Sequence, residues 1–334
     1  MKMKNSNGPL RIGVVGLGRI AKAHIDAIQA LPHEHAVLAA VATRSSPPTI
    51  ELDDAVSVHT SYQELLQDST VDAVIICYPN AMHRDAVLAA ADAGKHILIE
   101  KPIGMDAAEV EQMVAAADRN SVALMSAQSR RFSDAIESAR RALPEIGSVF
   151  RIVINFLVQF AEPPTNWWKD PSASGDLIVH LQGSHSVDTI VWLLDAEPDW
   201  VAARTACINP DMGGADEADM LLGFGDGVTA SVHLSLNTSP YQHEMTIVGS
   251  QGSMRMSEYP TGVPFGVGYQ LQVNGKTRVE GPQAPTIYTK QLAEFVAAVR
   301  EGREPLASGR EVLRTTRALD AVISAARSGK TVTL

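Results

Sequence analysis

Cysteine is all but missing: only Cys77 and Cys207 occur in 334 residues. They stand far apart, each within an apolar, strand-like run, and read as reduced core thiols. Neither a disulfide framework nor a cysteine-rich zinc site is available to this chain. No apolar run approaches the length that spans a bilayer. The opening "MKMKNSNGPL" lacks the apolar core of a secretory signal and reads as a frayed tail. Positive charge is also short, with 28 Lys and Arg against 38 Asp and Glu, a net charge of -10. Basic residues are scattered, and "RRF" at 130–132 is too short for a basic patch, so nucleic acid is a poor partner. These deficits describe a cytoplasmic protein with no membrane and no nucleic-acid partner. No internal repeat or low-complexity segment is present.

What remains is an ordinary globular balance, 45% hydrophobic and 20% charged, in a chain long enough for two domains. From residue 10 to about 125, strand-like and helix-like segments alternate. "LRIGVVGLG", "AVLAAVATR", "VDAVIICYP", "HILIE" and "VALMSAQS" are the strands. Between them lie helical stretches such as "RIAKAHIDAIQAL", "MHRDAVLAAADAGK" and "AAEVEQMVAAADRN". Ser61 with Glu64 three residues on is a capping-box pattern, and Gly94 marks a helix stop. Strands with continuous apolar character, joined by helices, predict a parallel sheet covered on both faces.

After residue 147 the texture changes to a series of strand-like runs joined by short glycine turns. "FGDGVTA" puts Asp-Gly between two of them, a hairpin signal. Only the helical "SHSVDTIVWLL" interrupts. The expected fold is α/β: a Rossmann doubly wound parallel sheet over 9–128, then an α+β domain over 129–334 with a large, mostly antiparallel, open-faced sheet. The helical tail from Thr289 to Ser328 is expected to pack back on the first domain.

Gly16, Gly18 and Ala21 fit G-x-G-x-x-G/A between a strand and a helix. Gly16 permits the tight turn, Gly18 lets backbone approach a pyrophosphate, and Ala21 allows close helix–strand packing. With Arg19 and Ile20, the helix start offers amides and partial positive charge to phosphates. The second strand ends Thr43-Arg44-Ser45 with no carboxylate before Glu51. An acid there would hold a ribose 2′-hydroxyl, whereas Arg44, flanked by two hydroxyls, suits a 2′-phosphate, so NADP is favoured over NAD. Ligands of such sheets lie beyond the carboxyl ends of the strands. That rule gathers Tyr78, Pro79, Asn80, Glu100 and Lys101 near the nicotinamide. An amine there can lower the pKa of a substrate hydroxyl or donate to a forming carbonyl oxygen. Pro102 would fix the backbone beside it, through either a trans or a cis bond.

Taken together, "GVVGLGRIAKAH", "VDAVIICYPNAMHRDAVLAAADAGKHILIEKPIG", "SGDLIVHLQGSHSVDTIVWLL" and the tail from "FVAAVREGREP" onward resemble the glucose–fructose oxidoreductase, inositol dehydrogenase and rhizopine catabolism family (Gfo/Idh/MocA). The resemblance spans essentially the whole chain. It implies NAD(P)-dependent oxidation or reduction of sugars, inositols or related polyols, in homodimers or homotetramers packed through the C-terminal sheet. It implies Lys101 as the catalytic lysine, His185 as its proton-transfer partner and Asp188 as a helix-holding or substrate-binding position. Many members carry an aspartate four residues before the histidine. Here that position is Leu181, and the segment from Gly175 to His185 is about one residue longer. A local bulge could bring His180 or Gln182 into the aspartate's place, and a histidine base near neutral pH suffices chemically.

Other candidates stand beside bland readings. His24 shares a helical stripe with Ile20, Ala27 and Ile28, as a packed residue or a cofactor neighbour. His83 caps a helix or touches cofactor. Arg131 and Phe132 lie near substrate by the same resemblance, or Arg131 is a solvated loop arginine. Trp167 and Trp168 stack on a sugar face or pack their loop, with Asn166 and Lys169 near enough to bond hydroxyls. No metal site is implied, since His180 and His185, five apart on a helix, would face different ways. Two alternatives to the dehydrogenase reading stay open, a redox-neutral NAD-dependent glycosidase and a non-catalytic dinucleotide sensor.

Overall fold

The computed structural model describes residues 8–44, 50–262, 266–282 and 286–334. Two compact units emerge. One holds the chain up to Ser129 and recovers the stretch that ends at Leu313; the other begins at Arg130 and recovers Arg314–Leu334.

In the first unit the elements run β1 (Leu10–Val15), α1 (Ala21–Ala30), β2 (Ala36–Ala42), β3 (Ser57–His59), α2 (Tyr62–Gln67), β4 (Ala73–Ile76), α3 (His83–Asp92), β5 (His96–Ile99), α4 (Ala107–Asn120) and β6 (Leu124–Ser126). The six strands pair in the order β3-β2-β1-β4-β5-β6. All are parallel. Every residue of β4 and of β5 is buried, as the continuous apolar runs predict for strands with helices on both faces. The order reverses between β1 and β4, so the carboxyl ends of those two strands flank a crevice.

Local signals set the helix ends. Ser61 Oγ accepts the Glu64 amide, and the Glu64 carboxylate reaches back to the Thr60 amide, a capping box displaced by one residue. Gly94 closes α3 at φ 70°, where a side chain would be strained.

The second unit contains α5 (Asp134–Ala142), β7 (Val149–Gln159), α6 (Pro171–Ser174), α7 (Ser184–Leu194), β8 (Trp200–Ala206), β9 (Glu217–Gly223), β10 (Thr229–Ser235), β11 (Asn237–Gly249), β12 (Gly252–Pro260), β13 (Val267–Val273) and β14 (Lys276–Gly281). The tail then forms α8 (Ile287–Glu301), α9 (Gly309–Ser328) and β15 (Val332–Thr333). Helix α8 belongs to the first unit. There it packs on α1, with Tyr288 edge-on to His24.

Nine strands pair in the order β14-β13-β12-β11-β7-β10-β9-β8-β15, antiparallel except for β7 with β10. The Asp-Gly hairpin forms where expected. Asp226 and Gly227 take positive φ, and Thr229 pairs with Gly223 across it. One face of this sheet is covered: Gly183, just before α7, lies over Met220, Leu234 and Leu319. The opposite face is open, with a groove of about 560 Å³ lined by Val153, Asn155, Leu221, Ser231, His233 and Lys330.

The thiols divide. Both are unbridged and Cys77 is buried, but Cys207 is exposed just beyond the end of β8. The expectation of two core thiols is corrected there, because the apolar run that suggested a buried strand continues past the last sheet pairing into an exposed loop.

Candidate active site

The crevice of the first unit begins at the glycine turn. Gly16 has φ 86°, and a Cβ on it would lie 2.9 Å from the Tyr78 ring, so this turn against the end of β4 requires glycine. A Cβ on Gly18 would meet nothing within 4 Å, which leaves the backbone open to close approach. Arg19 is exposed and Ile20 half-buried, and α1 starts with no side-chain cap and no acidic residue in its first turn. No side chain therefore competes with an anion for this helix start, although the Ala21 and Ala23 amides already donate to the Gly18 and Ile20 carbonyls. Ala21 is fully buried.

Thr43 and Arg44 follow β2, with the Thr43 amide donating to His59. Arg44 is exposed just past the end of β2. Burial raises the Tyr78 phenol's pKa, Tyr62 adds to the rise and Arg44 opposes it. Ser45 lies outside the described residues. These features fit a dinucleotide: a glycine turn, an uncapped helix start and no carboxylate among the described residues at the end of β2.

Two polar groups fix the lip of the crevice. His83, the first residue of α3, is fully buried, with Nε2 2.8 Å from the Tyr78 carbonyl oxygen and Nδ1 2.8 Å from that of Pro102. Burial lowers its pKa, opposed by those carbonyls and by the Glu100 charge. The ring thus lies between the Tyr78-Pro79-Asn80 loop and the Lys101-Pro102 segment, and in its neutral form it donates to one of the two carbonyls. The Lys101–Pro102 bond is cis.

Glu100 is similarly committed. Its Oε1 lies 2.8 Å from His24 Nε2, and its Oε2 accepts the Lys101 amide at 3.1 Å. Burial is the largest single influence and would raise the carboxyl's pKa, but the bond and charge of His24 together with the charge and amide of Lys101 outweigh it, and the net shift is downward. Glu100 is therefore a fixed anion beneath Lys101, and His24, a packed residue on the stripe that includes Ile25 and Ile28, is its partner. Lys101 itself is half-buried, Pro79 is half-buried and Asn80 buried.

In the second unit a single π-helical turn over Val179–Gly183 precedes α7. A π turn accommodates one extra residue in a helix, which is the surplus the sequence shows between Gly175 and His185. The expectation that His180 and His185 sit on one regular helix is corrected by it. His180 and Gln182 are buried, and His185 is half-buried at the start of α7. Gln182 Oε1 has no hydrogen-bond partner among the described residues, and a buried unpaired carbonyl is a ready acceptor for a hydroxyl.

Arg131 and Asp188 do not remain loose. Nε and Nη2 of Arg131 bond the two Asp188 oxygens at 2.8 and 2.7 Å, and Thr315 donates to Oδ1 at 2.9 Å. Both residues are only 2% exposed, so the solvated-loop reading of Arg131 is excluded. Losing one partner of such a buried pair costs about 3–5 kcal/mol. The pair ties the segment before α5 to α7. Phe132 is buried. Trp168 is buried against Phe160, while Trp167 is half-buried edge-on to Trp168 and Asn166 and Lys169 are exposed.

A row of residues that the sequence reading passed over adjoins His185. Phe156 on β7 pairs with His243 on β11, and His243 pairs with Glu258 on β12. The Phe156 and His243 rings stack with centroids 4.2 Å apart, the Phe156 and His185 centroids are 6.5 Å apart, and Arg130 lies 5.1 Å over Phe156. Glu258 bonds Arg130, His243 Nδ1 at 2.6 Å and the Tyr241 hydroxyl at 3.2 Å. Burial would raise the Glu258 carboxyl, but Arg130 and His243 outweigh it and hold it at about 2. The sequence did contain a signal: in "SMRMSEYP" the buried positions alternate Met254, Met256, Glu258, which puts a carboxylate on the core-facing side of a strand.

A parallel sheet with the 3-2-1-4-5-6 order, a glycine turn and an uncapped helix at its switch point define a dinucleotide-binding unit. Comparison with known proteins specifies it further. Residues 10–128 match the oxidoreductase family with an NAD-binding Rossmann fold, and 139–255 match the GFO/IDH/MocA C-terminal domain. The chain is 30% identical to 1,5-anhydro-D-fructose reductase of Ensifer adhaerens, over 96% of this chain and 97% of that one. It is 29% identical to D-xylose 1-dehydrogenase (NADP(+)) 2 of Haloferax volcanii, over 97% and 98%. The crystal structure of aldose-aldose oxidoreductase from Caulobacter crescentus complexed with glycerol superimposes with a TM-score of 0.85 at 25% identity, covering 98% of this chain and 100% of that one. The chain belongs to the GFO/IDH/MocA oxidoreductase family. Among the described residues no helix is long and apolar enough to cross a membrane, and no three His, Cys, Asp or Glu side chains gather as metal ligands.

Proposed function

We propose that this protein is an NAD(P)-dependent dehydrogenase or reductase that interconverts a secondary hydroxyl and a ketone, or a sugar's anomeric hydroxyl and lactone, on a sugar, inositol or related polyol. The observation that carries the reading is the Glu100–Lys101 step at the carboxyl end of β5, in the sheet whose β1–α1 turn suits a pyrophosphate. Bound NAD(P) would accept or supply the hydride. Lys101 polarises the substrate oxygen, and the fixed Glu100 carboxylate beneath it favours the charged amine. His185 carries the proton, and the π turn supplies His180 or Gln182 where many relatives have aspartate. Named relatives that act on xylose and anhydrofructose support the substrate class.

NADP is favoured over NAD, because the exposed Arg44 after β2 offers a fork suited to a 2′-phosphate. A cytosolic setting is supported by two unbridged thiols. The open sheet face, with Val153 and Leu221 in its groove, supports homodimers or homotetramers packed through it. Sedimentation is expected to show an oligomer that Leu221→Asp dissociates; a monomeric wild type rejects that assembly.

An initial-rate screen pairing sugars, inositols and their keto forms with NAD, NADP, NADH and NADPH tests the activity. Turnover with NADP(H) that falls by about a thousandfold or more in Lys101→Ala is expected. Turnover confined to NAD(H) contradicts the Arg44 argument, and undiminished turnover in Lys101→Ala contradicts the role of the lysine.

A further inference from the structure

The wall that adjoins His185 in the second unit contains strong charges, yet they cancel in pairs. Arg131 is matched by Asp188 and Arg130 by Glu258. The second pair decides what the wall can hold. Arg130 lies over Phe156, whose other neighbours are His243, Tyr241 and His185. Its side chain is 12% exposed, and its Nε, although buried, has no hydrogen-bond partner among the described residues. A guanidinium so placed would ordinarily draw a carboxylate or phosphate.

Glu258 removes that capacity. Its side chain is fully buried and bonds Arg130 through one oxygen and His243 and Tyr241 through the other. Because an ionised carboxylate only accepts, His243 must present Nδ1–H and Tyr241 its hydroxyl proton to it. Burial keeps the His243 ring below the ordinary histidine range, so it adds no charge at neutral pH. The cluster is thus one cation, one anion and two neutral donors.

We propose that Glu258, by neutralising Arg130, makes this wall electrically neutral and so selects uncharged sugars and polyols against sugar acids and sugar phosphates. This rests on the oxidoreductase reading for its site and narrows the substrate class within it. An anion brought to the wall would lose its hydration without gaining net attraction, since the carboxylate already present repels it. A hydroxyl carries no charge and loses far less on leaving water.

The test compares matched pairs that differ only at C6, D-glucose with D-glucuronate and D-galactose with D-galacturonate. Both kcat/KM and calorimetric affinity are measured for the wild type and for Glu258→Gln. The wild type is expected to prefer the neutral member by about 100-fold, within the range that pocket contacts supply. Glu258→Gln, which leaves the Arg130 charge uncompensated, is expected to shift that ratio toward the uronate by about tenfold or more. Because a buried arginine left alone can unfold the variant, Arg130→Met with Glu258→Gln is made as well, and it is expected to keep the neutral preference. A wild type that takes uronates as well as neutral sugars overturns the proposal, as does a folded Glu258→Gln with an unchanged ratio or a double variant that favours uronates. Lack of turnover on every pair, and on every sugar, inositol and keto form of the initial-rate screen, counts against the oxidoreductase reading instead. In that case a calorimetric preference for the neutral member still upholds charge selection, and its absence overturns it.

Discussion

Arg130 and Arg131 each meet a carboxylate from a distant part of the chain, Glu258 and Asp188. "RRF" is visible in the sequence, and position near a site could be argued for it, but the partners could not. Asp188 lies 57 residues from Arg131, and Glu258 lies 128 from Arg130, so the charge balance exists only after the fold has closed. Lys101 differs because its setting is local: an apolar strand that ends on Glu-Lys-Pro announces itself without knowledge of any distant residue. The Glu258 network also makes a prediction about acid. With the folded carboxyl at about 2 against 4.5 for an ordinary glutamate, its contribution to stability is complete above about pH 4.5 and lost as pH falls toward 2, the sign expected for a depressed acid. Glu258→Gln should flatten that part of the stability–pH curve, as followed by denaturant unfolding at a series of pH values. Equal acid sensitivity in both proteins would show that Glu258 is not the group responsible.

At the scale of elements, the first unit was the more legible. Fully buried strands leave uninterrupted apolar runs, and caps and glycine stops are local chemistry, so β1, β4, β5 and the helices between them were readable in place. The strands of the second unit were visible too, but their partners were not. The row Phe156–His243–Glu258 depends on register across three strands, which alternation within one strand does not specify. The π turn was half visible. A surplus residue between Gly175 and His185 could be counted, while its absorption as a widened turn at Val179–Gly183 reflects packing of Gly183 over Met220, Leu234 and Leu319. Deleting Leu181 should return this segment to a regular α-helix and rotate the residues before it by about 100°. The expected result is a fall in kcat/KM of about 100-fold or more, the cost of misplaced reacting groups, with the circular dichroism spectrum unchanged. Full activity in the deletion variant would mean that neither His180 nor Gln182 depends on the widened turn.

The whole molecule consists of two units made from an interrupted chain: the first recovers α8, the second the end of α9 and β15. That interleaving was anticipated only as a tail returning to the first domain, because helical periodicity tells that a helix exists and not which neighbour it buries against. The first unit carries the glycine turn, Arg44 and the lysine on its glutamate anchor; the second carries His185, the π turn and the neutral wall. The proposed reaction moves a hydride between a polyol and a nicotinamide. It is tested most directly by following a deuterium label. A sugar or inositol found to be a substrate is deuterated at the carbinol carbon and incubated with oxidised cofactor and the wild-type protein, and the nicotinamide is examined by NMR. The account predicts that the label appears at C4 of the reduced ring, and that transfer disappears in Lys101→Ala. Label that exchanges into water, or that returns wholly to the sugar with no net reduced cofactor, would contradict it.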